Sequence, residues 1–242
     1  MRKTSLPFRN RLALVTGASR GIGFEIARRL AVQGCDVVMA AREGKALARA
    51  GPKIEKLGVR VLAQACDVRS PESVDSLFAE ARGLRRPLDF LVNNAGISQP
   101  IRNVSELPYP MWADVIETNL TGMFLVTQAA LAIMKRGGVI VNNLSIAAER
   151  VFAGSAAYNA SKHGALGFTD TLREELREKG IRVIALMPGA TNTDIWEVYW
   201  PKAPRRKMMA AAAVAKATID AMLLPENCTV EKLVITPAGG TL

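Results

Sequence analysis

Residues 14–30 read LVTGASRGIGFEIARRL, a short apolar run that breaks into a glycine-rich turn and then continues as an amphipathic segment. Its glycines, Gly17, Gly21 and Gly23, are spaced G-x-x-x-G-x-G, with Ser19, Arg20 and Ile22 between them. Glycines permit a tight turn and a close backbone approach to a ligand. The helix such a turn opens presents free N–H groups to a phosphate. The stretch therefore reads as strand, phosphate cradle and helix, although a glycine-rich turn alone also fits a plain strand-to-helix connection.

The alternation recurs along the chain. Short apolar, β-branched runs at 12–15, 36–40, 59–65, 90–93, 139–144, 182–187 and 232–236 are expected strands. Helical patterns fill 23–33, 44–57, 71–84, 110–135, 156–179 and about 208–223. SPES at 70–73 starts a helix well, with serine at the N-cap and proline at the first helical position. Continuous apolar strands imply burial on both faces, and strict alternation with helices implies parallel strands joined by right-handed crossovers. The expected fold is α/β, a doubly wound parallel sheet of about seven strands flanked by helices. No repeat, low-complexity tract or linker divides it, so residues 1–242 form one dinucleotide-binding domain. Ligands in such a sheet bind outside the carboxyl ends of the strands, at the switch point.

Composition narrows the function classes. The 242 residues are 49% hydrophobic and 22% charged, ordinary for a soluble globular chain. No apolar run approaches the roughly 20 residues that span a bilayer, and the basic opening MRKTSLPFRN leads into a strand rather than a cleavage site. Three scattered cysteines and a single histidine leave no metal site. The thiols read as buried small hydrophobes in a reducing cytoplasm. A net charge of +10 fits an anionic cofactor as well as nucleic acid, but no nucleic-acid module signature accompanies it.

The end of the second strand refines the cofactor. About 20 residues after the glycine turn a dinucleotide fold places its ribose-reading residue. An acid there suits NAD, whereas this chain has Ala41 followed by Arg42. The planar guanidinium fork suits the 2′-phosphate of NADP. Arg20 adds a second cation, and Glu43 keeps NAD open.

Further stretches complete the set: CDV (66–68), NNAG (93–96), TNLTG (118–122), NNLS (142–145), Tyr158 thirteen residues after Ser145, Lys162 four later, and PGATNT (188–193). Together with TGASRGIG they resemble the short-chain dehydrogenase/reductase (SDR) family from about Leu12 to the C-terminus, similar to NADP-dependent carbonyl reductases and 3-oxoacyl-ACP reductases. The resemblance implies a Rossmann fold and an oxidoreductase acting on CH–OH and C=O groups. It implies a catalytic tetrad of Asn119, Ser145, Tyr158 and Lys162. For the cofactor it implies Asp67 at the adenine amine with Val68 beside it. Asn93, Ala95 and Gly96 would line the cofactor, as would Tyr158 and Lys162. Pro188, Gly189, Thr191 and Thr193 would follow, Thr193 at the nicotinamide carboxamide.

The chemistry of that tetrad has its own physical reading. On a helix Tyr158 and Lys162 are i and i+4 and share a face. A free tyrosine titrates near ~10, too high for an efficient acid or base at neutral pH, and the neighbouring ammonium is expected to lower it. His163, the only histidine, is i+5 and about 140° round the helix from Tyr158. It reads as a bystander whose replacement by Gln leaves turnover nearly intact.

Substrate contacts are expected from 194–209, DIWEVYWPKAPRRKMM, where Trp196, Tyr199 and Trp200 stand near a basic cluster, Arg205–Lys207. The aromatics suit an apolar substrate and the cluster suits an acidic carrier such as ACP or CoA; a core role for the aromatics and a solvated role for the charges fit equally well. ISQPIRN (97–103) and IAAERVF (146–152) are expected to line the other walls. The ending VEKLVITPAGGTL departs from the family's usual V-D-G-G closing stretch. This weakens a 3-oxoacyl-ACP assignment without excluding it, and makes a homodimer built from the long fourth and fifth helices at least as plausible as a homotetramer. The leading expectation is an NADP(H)-dependent carbonyl reductase of a small molecule, with no nucleic-acid or membrane partner. An NAD-linked dehydrogenase of a sugar, polyol or other secondary alcohol is the alternative. A non-catalytic dinucleotide sensor is the alternative from another class.

Overall fold

The computed structural model describes residues 6–240, so the first five residues of the basic tail and the last two of the C-terminal stretch lie outside the described part. At its centre β1 (Leu12–Thr16) is buried along its whole length. It pairs in parallel with β2 (Asp36–Ala41) on one side. β3 (Val61–Ala65) pairs beyond β2, and β4 (Leu88–Asn93) lies on the other side of β1. β5 (Met134–Asn143) and β6 (Arg182–Pro188) continue the sheet past β4. Two short strands, β7 (Thr191–Asn192) and β8 (Met209–Ala210), pair outside it, and β9 (Lys232–Ile235) closes the far edge beside β6. The seven-stranded order is β3-β2-β1-β4-β5-β6-β9, every pair parallel. This is the expected Rossmann-like, doubly wound α/β domain.

The helices are α1 (Gly21–Val32), α2 (Gly44–Glu55), α3 (Pro71–Gly83), α4 (Tyr109–Ile116), α5 (Gly122–Leu131), α6 (Ala156–Arg177), α7 (Ile195–Tyr199) and α8 (Ala211–Met222). The period-two geometry of a strand sends alternate residues to opposite faces. Ala13, Val15, Val37, Met39, Val141 and Leu186 pack with α1, α2 and α8. Leu12, Leu14, Val38, Ile140 and Val183 pack with α3, α5 and α6. Each large aliphatic side chain buried this way contributes roughly 1.5–3 kcal/mol. Ser70 caps α3, its Oγ accepting from the Ser73 N–H at 3.1 Å, with Pro71 at the first turn.

Three sequence expectations need correction. The single helix expected over 110–135 is α4, a π-helical turn over Glu117–Thr121, and α5. β5 then begins at Met134, inside the expected helix. A π turn inserts a residue into the helical repeat and is common at functional sites; its wider backbone leaves the helical pattern of the flanking sequence intact. The helix stops at Leu131 and the backbone from Met134 is taken by the sheet, where Met134 pairs with Leu88 of β4. Among the cysteines, Cys35 and Cys66 are buried as expected, but Cys228 is exposed in the loop before β9, where no helix or sheet face covers it. Among the described residues no helix is long and apolar enough to cross a membrane, and no group of His, Cys, Asp and Glu gathers as a metal site.

Candidate active site

Strand order reverses between β1 and β4, so the connections leaving these strands diverge and open a crevice at their carboxyl ends. Thr16 and Asn94 stitch its floor. The Thr16 Oγ1 accepts from the backbone N–H groups of Asn94 and Ala95 at 2.9 and 3.0 Å. The Asn94 Nδ2 donates to the carbonyls of Thr16 and Gly17 at 3.0 and 3.2 Å. Gly17 turns left-handed there (φ +61°), and a Cβ on it would stand 2.8 Å from the Asn94 Nδ2. At Gly23 a Cβ would lie 2.3 Å from the same nitrogen and 2.5 Å from the Gly17 carbonyl oxygen. Gly23 therefore lets α1 start against the strand floor.

Above this floor lies a cleft of about 530 Å³. Its walls include Gly17, Ser19, Arg20, Gly21 and Ile22 from the turn, Arg42 from the end of β2, and Asp67 and Val68 after β3. Ala95 and Gly96 follow β4, and Pro188, Gly189, Thr191 and Thr193 follow β6. Ser145, Tyr158 and Lys162 stand on the same surface.

Three of the expected residues are not on the wall. Gly23 is packed as described. Asn93 turns into the core, its Nδ2 donating to Thr127 Oγ1 at 2.8 Å and Asn142 Oδ1 at 2.9 Å; its neighbour Asn94, which the sequence reading passed over, takes the wall instead. Asn119 is wholly buried in the π turn. Its Oδ1 accepts from the Ile97 N–H at 2.8 Å, and its Nδ2 donates to the Ile97 carbonyl at 2.9 Å and to Ser161 Oγ at 3.1 Å. That side chain clamps the loop after β4 to α6 from directly behind Gly96.

Tyr158 and Lys162 share one face of α6. The Lys162 Nζ lies 5.5 Å from the Tyr158 ring centroid and donates to the Asn143 carbonyl at 3.1 Å. Burial pulls the Lys162 ammonium down to about 8. Burial also pushes the Tyr158 phenol above its ordinary value; a hydrogen bond with Ser145 pulls it down, and the Tyr199 hydroxyl adds to the rise. The expected lowering of Tyr158 by the ammonium is not what the site shows: removal from water is the largest effect and it penalises the phenolate. Ser145 also caps a short 3-10 turn, its Oγ accepting from the Ala147 N–H at 3.1 Å. His163 is exposed, its Nδ1 2.9 Å from the Asn159 carbonyl.

At the other end Arg42 is exposed on the rim. Hydrogen bonds from Arg69 hold the Asp67 carboxyl below its usual range, helped by the charge of Arg42. Arg20 pairs with Asp194 at 3.3 Å, joining the glycine turn to the loop after β6. That loop is tied down further. Trp196 Nε1 donates to the Thr191 carbonyl at 2.9 Å, and Ser155 Oγ lies 3.1 Å from the Tyr199 hydroxyl. Arg205, one of the basic cluster, donates to the Thr193 carbonyl, leaving Arg206 and Lys207 exposed. Trp196, Tyr199 and Trp200 all line the cleft and none is a core residue. Asn94, Asn143 and Asp194 also line the cleft, and the sequence motifs did not single them out. The doubled asparagine of NNLS, echoing that of NNAG, was the available signal for two of them.

Residues 11–203 match the family described as short chain dehydrogenase. A Streptomyces coelicolor protein provisionally named a ketoacyl reductase is 42% identical over 203 residues, 77% of each chain. The solved structure of a variant actinorhodin polyketide ketoreductase with NADPH superposes with a TM-score of 0.83 at 35% identity, covering 94% of this chain and 96% of that one. A Burkholderia cenocepacia short-chain dehydrogenase solved with NADP gives 0.87 at 31% identity, covering 96% and 98%.

Proposed function

The chain belongs to the short-chain dehydrogenase family, oxidoreductases of carbonyl and alcohol groups, and we propose that it reduces a ketone or aldehyde with NADP(H), a 3-oxoacyl thioester being the leading candidate. The observation that carries this reading is the meeting of Tyr158, Ser145 and Lys162 with the glycine turn and Arg42 on the walls of one cleft.

The residues fit the cofactor. A phosphate needs close approach at the turn, and Gly17 and Gly21 hold left-handed conformations there without side chains (φ +61° and +60°). Gly96 lets its loop lie close against Asn119, since a Cβ on it would stand 3.3 Å from the Asn119 Oδ1. Arg42 is the cation for a 2′-phosphate, in line with relatives solved with NADP and NADPH. Glu43 lines the same rim and is the one observation that favours the NAD-linked alternative.

A bound nicotinamide supplies the hydride. The chain's own residues manage the proton and the position of the substrate oxygen. Because burial keeps Tyr158 protonated at neutral pH, its role is that of an acid, giving its proton to the oxygen as the carbonyl is reduced. Ser145 hydrogen-bonds that oxygen and the phenol, which orients the donor. Lys162, mostly protonated at pH 7, stabilises the phenolate left behind. Asn119 holds the loop that carries Gly96. Ile97, Phe152, Trp196 and Trp200 cover the substrate side with apolar surface. The exposed Arg206 and Lys207 are the candidate contact for an acidic ACP or CoA carrier. Tyr109, Trp112 and Phe124 of α4 and α5 are exposed and are the candidate contact between two copies.

The test is NADPH oxidation against a panel of carbonyls that includes an acetoacetyl thioester and small apolar ketones, with NADH alongside and Tyr158→Phe as blank. Turnover lost in the blank is the expected result. Tight NADPH binding without turnover on any carbonyl would favour a sensor instead.

A further inference from the structure

The loop over the cleft carries a hydroxyl that the proton transfer does not use. Tyr199 ends α7, and its oxygen lies 3.1 Å from Ser155 Oγ. Ser155 is 1% exposed and sits at the N-cap of α6, three residues before Tyr158. Among the described residues, the Tyr199 hydroxyl is the only hydrogen-bond partner of the Ser155 side chain. A buried hydroxyl rarely leaves its proton unpaired. Ser155 therefore donates and the Tyr199 oxygen accepts, which leaves the Tyr199 proton uncommitted on a side chain that lines the cleft. Ser155 immediately precedes α6, so this anchor ties the Tyr199 hydroxyl to the start of the helix that carries Tyr158. The effect of Tyr199 on the proton affinity of Tyr158 agrees with that proximity. The polar side chain closest to the chemistry, Ser145, is assigned to the reacting carbonyl. Ile97, Ile101 and Phe152 offer no donor, and the N–H of Trp196 is committed to the Thr191 carbonyl.

We propose that Tyr199 determines substrate specificity by donating a hydrogen bond to a second oxygen of the substrate, a few bonds from the carbonyl that Tyr158 protonates. The substrate class it selects is a carbonyl compound with a neighbouring ester, thioester or hydroxyl oxygen and an apolar flank, over a monoketone of equal length. The proposal rests on the reductase reading above and names the substrate class of that same site. An apolar monoketone leaves the Tyr199 donor without a partner, and a site built to hydrogen-bond a group discriminates against compounds that lack it.

The experiment compares kcat/KM for NADPH-dependent reduction of ethyl acetoacetate and of 2-heptanone, which has the same chain length and no ester oxygens. In Tyr199→Phe the ratio of the two falls about 5- to 10-fold, mainly through KM for the ester, as expected for one lost hydrogen bond. A ratio within about twofold of wild type overturns the proposal. If Tyr199→Phe no longer binds NADPH, Ser155→Ala decides in its place. It keeps the ring and removes the anchor, so the ratio falls by about threefold, and an unmoved ratio again overturns the role. Failure of the reductase reading looks different: wild-type protein that turns over no carbonyl, or Tyr158→Phe that turns over as well as wild type.

Discussion

Lys162 and Asn143 are joined by a hydrogen bond of 3.1 Å from the Lys162 Nζ to the Asn143 backbone carbonyl. The side chain of the same asparagine donates from Nδ2 to Asn94 Oδ1 at 2.8 Å, and Asn94 holds the carbonyls of Thr16 and Gly17. One residue at the end of β5 thus connects the lysine beside the tyrosine to the glycine turn. Asn143→Val keeps the backbone acceptor and removes the amide. NADPH affinity, read by fluorescence titration, is expected to weaken about 3- to 10-fold with roughly 1 kcal/mol of stability lost. Unchanged affinity would mean that the turn holds its shape without Asn143.

Lys162 carries a pH signature. Its folded-state value of about 8 lies below the ordinary 10.5, so between these values the unfolded chain binds more protons than the folded one. Stability from this residue therefore rises with pH across that window, and the full penalty of the buried ammonium applies below about pH 8. Denaturant titrations across this range are expected to show a slope in the wild type that Lys162→Met lacks. In turnover, kcat/KM for reduction declines above about pH 8 as the ammonium is lost.

Arg42 is expected to set cofactor choice. Arg42→Ala removes a charge-assisted partner for the 2′-phosphate, and the NADPH-over-NADH ratio of kcat/KM falls about 10- to 100-fold. Arg20→Ala has a smaller effect, since Arg20 is already paired with Asp194. Equal losses with both cofactors in Arg42→Ala would assign that side chain to general binding.

Two glycines with opposite surroundings test the packing of the turn. In Gly23→Ala the new methyl meets the Gly17 carbonyl at 2.5 Å, an atom that cannot move without opening the turn. Thermal unfolding should show a loss of about 1–3 kcal/mol. Gly83, in α3, has nothing within 4 Å of an added Cβ, and Gly83→Ala should stabilise by about 0.5–1 kcal/mol.

The strands, the helix starts and the glycine turn were legible because each rests on a local rule: alternation along a strand, a capping serine before a proline, glycines where side chains do not fit. The pairing of Tyr158 with Lys162 was legible for the same reason, being four residues on one helix. The choice between the two asparagines of NNAG was not, because strand parity and the bend after β4 decide which faces the core. The π turn at Asn119 was hidden because a single inserted residue leaves the apolar pattern on either side undisturbed.

Local chemistry alone thus determines the fold class, the order of the elements and the presence of a tyrosine and a lysine on one helical face. Contacts between distant segments were left to the tertiary structure: Arg20 with Asp194, Asn143 with Asn94, Ser155 with Tyr199. So was the electrostatic state of the site. A neighbouring ammonium is visible in a sequence and argues for an acidic phenol. How deeply the two groups are removed from water is not visible, and that burial is what leaves Tyr158 raised and Lys162 lowered.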